Sequence, residues 1–142
     1  MRRALLALVV GAVLIMATVI PAAARSWRWD ECRFRNYSGG AGFNRTEITL
    51  IVRCGARAFP VPGGPSKALA VMDCESSGSQ FAGTTHIGLF QFAPSTFDSV
   101  MDRWSGLWHR WGVKPDPWNA RSNALAAIRK ASADGWGAWS CA

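Results

Sequence analysis

Apolar and polar residues change rhythm several times along this chain, and each change predicts an element. Ala4 to Ile20 is an apolar run, preceded by Met1-Arg2-Arg3 and followed by Pro21-Ala22-Ala23-Ala24. A basic start, an apolar stretch and small residues at its end form a secretory signal peptide. The run of 17 residues lies at the short limit for a membrane-spanning helix, and its A-x-A ending favours cleavage after Ala24. Residues 1–24 are therefore expected to be removed, leaving a chain that starts at Arg25 and has no lasting membrane insertion.

The next pattern has a period of two. Ile48, Leu50 and Val52 alternate with Thr49, Ile51 and Arg53, as in a strand with one buried face. Trp27 to Tyr37 is a weaker partner strand, with Ser38-Gly39-Gly40-Ala41-Gly42 as the turn between them. Residues 25–58 are thus predicted to form a β-hairpin. A Cys32–Cys54 bridge would staple it, because so short a piece holds no core of its own. Trp27, Arg28, Trp29, Arg33 and Arg35 suit either a carbohydrate-binding face or packing against the rest of the chain, and packing is the commoner use of such tryptophans. Phe59-Pro60-Val61-Pro62-Gly63-Gly64-Pro65 then interrupts any helix or central strand, and residues 59–65 read as a linker.

Beyond the linker the period becomes helical. Ser66 is a suitable N-cap for a helix running through Glu75. Ser95 opens a second helix, with Asp98 as a capping-box variant and Phe97, Val100, Met101 and Trp104 on one stripe. Asp116-Pro117 reads as a cap followed by proline at the first position of a third helix. That helix carries Ala120, Asn123, Ala124, Ala127, Ile128 and Ala131, and ends near Gly135. Ser77 to Phe92 is punctuated by glycine and reads as irregular. The expected fold class is α+β, mostly α: a small helical domain over residues 66–142, preceded by the hairpin.

Charge and cysteines narrow the setting. Without residues 1–24, 118 residues remain, enough for one compact domain, with 14 basic and 9 acidic side chains. A net charge of +5 suits the anionic surface of a cell wall, and the export segment points away from nucleic acid as a partner. Cys32, Cys54, Cys74 and Cys141 all follow the cleavage site, so they meet an oxidising compartment and read as two disulfides, with three connectivities open. No C-x-x-C pair or histidine cluster suggests zinc, and no metal or cofactor is expected. His86 and His109 read as loop or surface residues.

The candidate chemistry sits on Glu75. Ala68, Val71, Met72 and Glu75 are spaced i, i+3, i+4, i+7, so the carboxylate closes an otherwise apolar stripe. It also lies in the last helical turn, where the peptide dipoles disfavour negative charge. Burial and dipole both push a carboxyl toward its protonated form, the form that donates a proton to a glycosidic oxygen. A glutamate turned outward to water fits the same spacing.

The residues that follow resemble a known family. Cys74-Glu75-Ser76-Ser77, then Gly88-Leu89-Phe90-Gln91-Phe92, then Pro94-Ser95-Thr96-Phe97 is similar to the lysozyme-like lytic transglycosylases. The ending Gly135-Trp136-Gly137-Ala138-Trp139-Ser140-Cys141 looks most like the resuscitation-promoting factor type of domain. The resemblance spans about Ser66 to Cys141. It implies a lysozyme-like helical fold with Glu75 as the catalytic glutamate at the base of a groove and Gln91 opposite it. Ser76 and Thr96 match positions that support the site or contact substrate. It also implies a Cys74–Cys141 bridge, which leaves Cys32 with Cys54.

The implied reaction is cleavage of the β-1,4 bond from N-acetylmuramic acid to N-acetylglucosamine in peptidoglycan glycan strands. Trp104 and Trp136 are the tryptophans expected to stack on sugar, with Trp108 and Trp111 as other candidates. Asp98, Asp102 and Asp116 each have an ordinary structural explanation, so the pattern is one of a lone glutamate, which favours a 1,6-anhydro product over hydrolysis. The tyrosine-asparagine motif of larger lytic transglycosylases is missing, since the only tyrosine is Tyr37. Two competing readings remain: a non-catalytic wall-binding or signalling module, and a cationic membrane-active protein. The scattered basic residues and the absence of a basic amphipathic pattern argue against the second.

Overall fold

The computed structural model describes residues 42–142. The expected signal peptide, the strand over Trp27–Tyr37 and the Cys32 end of the Cys32–Cys54 pairing lie outside the described residues. Cys54 itself is buried and is not a free thiol.

Five helices make up the described part: α1 (Arg45–Ala58), α2 (Gly64–Ser76), α3 (Pro94–Arg103), α4 (Ser105–Trp111) and α5 (Ala120–Asp134). The mostly helical expectation holds. The hairpin does not, because residues 48–53, expected as a strand, lie inside α1. Ile48, Ile51, Val52 and Gly55 repeat at helical spacing and are buried, whereas Leu50 is 50% exposed. A strand would have turned Leu50 inward beside Ile48 and Val52. The local code agrees with the helix. Asn44 Oδ1 accepts from the Glu47 N–H at 3.1 Å and Glu47 Oε2 accepts from the Asn44 N–H at 2.8 Å, a complete capping box. Period two and period 3.6 share Ile48 and Val52, and the cap decides between them.

The Pro/Gly stretch expected as a linker joins two helices that pack on each other. Val61 within it is buried, and Ile48, Ile51 and Val52 of α1 share one core with Ala68, Val71 and Met72 of α2. α1 also packs on α5. Gly55 permits that approach, since a Cβ there would stand 2.8 Å from Ile128 Cδ1.

α5 is the central helix, with Ala120 through Ile128 all buried. The expected stripe is present, but the start is later than Asp116-Pro117. Asp116 instead closes a turn, accepting from the Trp118 N–H at 3.0 Å, and Asn119 caps the helix by accepting from Arg121 and Ser122. α2 starts at Gly64 and α3 at Pro94, each ahead of the serine expected to cap it. Phe97, Val100 and Met101 face the core as expected.

Candidate active site

Three short segments converge beside the end of α2. The first is its last turn, Cys74-Glu75-Ser76. Ser76 Oγ donates to the Met72 carbonyl at 3.2 Å and accepts from the Gly78 N–H at 3.2 Å, so it secures the helix terminus. Arg45, at the start of α1, pairs with Asp73 and donates to the Ser77 carbonyl at 3.2 Å. The Glu75 backbone is thereby tied to a second helix.

The second segment is a tight hairpin, Ile87 to Phe92. Ile87 and Phe92 exchange both backbone hydrogen bonds, at 2.9 and 3.0 Å. Asn123, fully buried on α5, pins the turn between them: its Oδ1 accepts from the Phe90 N–H at 2.8 Å, and its Nδ2 donates to the carbonyls of Ile87 at 3.1 Å and Pro117 at 2.9 Å. Gly88 permits this approach, since a Cβ there would stand 2.2 Å from Asn123 Nδ2. Gln91 has φ of 47°, a conformation that costs a non-glycine residue about 1–2 kcal/mol. Its side chain offsets that cost, as Nε2 donates to Gly88 at 2.8 Å and Ala82 at 3.1 Å. Those bonds leave Oε1 as the acceptor that Gln91 can offer a ligand.

The third segment is the chain end, Gly135 to Ala142. Trp136 Nε1 donates to the Pro62 carbonyl at 2.9 Å and Trp139 Nε1 to the Phe90 carbonyl at 2.8 Å. Both rings pack with Phe90. The Cys74–Cys141 disulfide, with Cα atoms 5.9 Å apart, fastens the tail to α2. The Cys141 N–H donates to Glu75 Oε1 at 3.3 Å, so the tail touches the candidate acid directly.

Together these segments enclose a cleft of about 410 Å³ lined by Glu75, His86, Gln91, Ala138, Trp139 and Ser140. The volume lies within the usual range for small-ligand sites. Glu75 is half-buried, and its surroundings combine the apolar stripe of α2 with an open mouth beside the exposed His86 and Ser140.

The residues expected from sequence divide into two groups. Glu75 and Gln91, 16 positions apart, meet in this cleft. Ser76, Thr96, Trp104 and Trp136 do not line it. Ser76 secures the helix end, and Thr96 is exposed in the first turn of α3. The guanidinium groups of Arg103 and Arg129 each lie 4.5 Å from the centre of the Trp104 ring. Nearby, a hydrogen bond from Lys130, with Arg103 beside it, holds the Asp134 carboxyl below its ordinary range. Trp136 is buried with its N–H satisfied, and the tryptophan that reaches the cleft is Trp139.

Comparison of the chain with protein-family models, curated proteins and solved structures finds no match. The site therefore has to be read from its own chemistry. Among the described residues no group of three or more His, Cys, Asp or Glu side chains could hold a metal ion. The cleft offers one carboxyl group, one imidazole, one amide oxygen, one hydroxyl and an indole edge. A polar ligand with hydroxyl groups and one flat face fits that set.

Sequence reasoning passed over three contributors. Asn123 was expected only as a stripe residue, Trp139 only as part of the tail motif, and His86 as a surface loop residue. A polar side chain on an otherwise apolar helical stripe was the one signal available for Asn123. His86 and Trp139 reach the cleft through long-range folding that no spacing encodes.

Proposed function

We propose that this chain is a secreted glycosidase of the lysozyme-like lytic transglycosylase kind, which cleaves peptidoglycan glycan strands with Glu75 as general acid and base. The observation that carries the reading is the meeting of Glu75 and Gln91 across one open cleft. The two residues belong to separate sequence motifs 16 positions apart.

The chemistry follows from a single carboxyl group. Protonated Glu75 gives its proton to the bridging oxygen as the bond from that oxygen to C1 of N-acetylmuramic acid breaks and positive charge develops there. The resulting carboxylate takes the proton of the C6 hydroxyl of the same sugar as O6 bonds to C1, giving a 1,6-anhydro end. With water in place of O6 the product is a reducing end. The Cys141 N–H steadies Oε1. Oε2 has no protein partner among the described residues and is the oxygen assigned to the sugar. Gln91 Oε1 would accept from a sugar hydroxyl, and the edge of Trp139 would meet an apolar sugar face.

The test is digestion of purified peptidoglycan by the chain that begins at Arg25. Glu75→Gln should lower the rate of turbidity loss about 10²–10⁴-fold, the usual contribution of a positioned acid. Mass spectrometry of the products separates anhydro from reducing ends. Equal turbidity loss by the wild type and Glu75→Gln would remove Glu75 from the chemistry and leave a wall-binding module.

A further inference from the structure

Within the cleft His86, Ala138 and Ser140 have no part in the reaction just described, and of these His86 has the most distinctive chemistry. His86 is exposed, lines the same cavity as Glu75 and Gln91, and among the described lining residues is the only side chain able to carry positive charge. Its mounting is firm. Ile87, the next residue, is buried and locked in both directions to Phe92. On the other side the chain folds back so closely that a Cβ on Gly83 would stand 1.7 Å from the His86 carbonyl oxygen. The backbone of His86 is therefore held from two sides. Its imidazole makes no hydrogen bond or ion pair within the protein among the described residues.

Donors are scarce around it. Gln91 spends Nε2 on Ala82 and Gly88 and presents only an acceptor. Glu75 is an acceptor or a single-proton donor, and Ala138 has no polar side-chain atom. Among the described lining residues, the Ser140 hydroxyl and the His86 ring are thus the side-chain donors offered to an anionic group, and of these only the ring can pair with it as an ion.

We propose that His86 is a specificity residue that binds a carboxylate carried by the glycan. This inference rests on the peptidoglycan reading above. In such a strand every second sugar bears a 3-O-lactyl group, which ends in a free carboxylate where the peptide has been removed and continues into a carboxylate-bearing peptide where it has not. The neutral N-acetylglucosamine homopolymer has the same backbone without that group. A hydrogen-bonded contact between imidazolium and carboxylate gives the protein a means to prefer the acidic strand.

Equilibrium binding by calorimetry tests this with Glu75→Gln as the host, so that the ligand is not consumed. The probes are peptide-free muramyl-containing tetrasaccharide, the same tetrasaccharide with its peptides, and N-acetylglucosamine tetrasaccharide. The quantity read is the ratio of affinity for each acidic probe to that for the neutral probe. The ratio should fall about tenfold in Glu75→Gln/His86→Gln and recover in Glu75→Gln/His86→Lys, which restores a positive donor. A fall confined to the peptide-free probe would assign the lactyl carboxylate, and a fall confined to the peptide-bearing probe would assign a stem-peptide carboxylate. An unchanged ratio in His86→Gln, with glycan still bound, overturns the role of His86 and leaves the parent reading intact. No binding of any glycan by any variant, with thermal melts like that of wild type, overturns both.

Discussion

α1 and α2 are neighbours of nearly equal length, yet they are specified in opposite ways. α1 carries its own instructions: the Asn44–Glu47 capping box, an apolar face through Ile48, Ile51 and Val52, and Arg57 in its last turn. α2 has no side-chain cap, begins with Gly64-Pro65 and has only a weak apolar face. Its end is held by distant partners, Arg45 on one side and Cys141 on the other. The candidate chemistry lies on α2. Locally coded helices supply the frame, while the segments that meet at the cleft are placed by bonds spanning 28 to 74 residues along the chain. Such a site gains an exact relation between remote groups and depends on the whole fold for it.

That contrast can be broken experimentally. The largest effect should come from replacing both Cys74 and Cys141 by serine. Loss of a crosslink between positions 67 residues apart should lower stability by roughly 4 kcal/mol in the chain-entropy model, read from denaturant unfolding. Hydrogen exchange should rise first in residues 135–142, with α1 amides keeping their protection. Equal loss across both regions would erase the distinction.

Next in size is Asn123→Ala. It leaves the buried Phe90 N–H and the Pro117 carbonyl without their side-chain partner and removes one of the two donors to the Ile87 carbonyl, at a cost of about 2 kcal/mol. The proposed wall cleavage should fall as well, because the turn that carries Gln91 loses its anchor. Unchanged stability would show that the hairpin holds itself.

The smallest effect should come from Asn44→Ala. Losing the cap should cost about 1 kcal/mol, visible in a thermal melt, with wall cleavage at saturating substrate unaffected. A cleavage defect as large as that of Asn123→Ala would mean that α1 positions the site after all.

Much of the helical frame was legible in the residues. The stripes of α2 and of α3 through Met101 were correct because burial on one side of a helix leaves a period that survives in the sequence, whereas α5 is buried all round from Ala120 to Ile128 and its expected stripe covers only part of that. α1 was misread because Ile48, Leu50 and Val52 satisfy a period of two while Ile48, Ile51, Val52 and Gly55 satisfy one of 3.6. The Asn44–Glu47 pair that settles the choice lies just outside the alternation. Helix starts were misplaced where proline and glycine, rather than serine, set the first turn.

By itself the sequence determined three of the four helices after residue 63, missing α4, and through a family resemblance marked Glu75 and Gln91 as a pair. The helices follow from local spacing and residue type, which the chain carries in any conformation, and the pair follows from what the resemblance implies. The tertiary structure alone decided that Trp139 rather than Trp136 reaches the cleft, that Asn123 anchors the Gln91 turn, that two arginines stand over the Trp104 ring, and that His86 lines the cavity. Each depends on which distant segments come within a few ångströms of one another, and that proximity is set by packing the entire core.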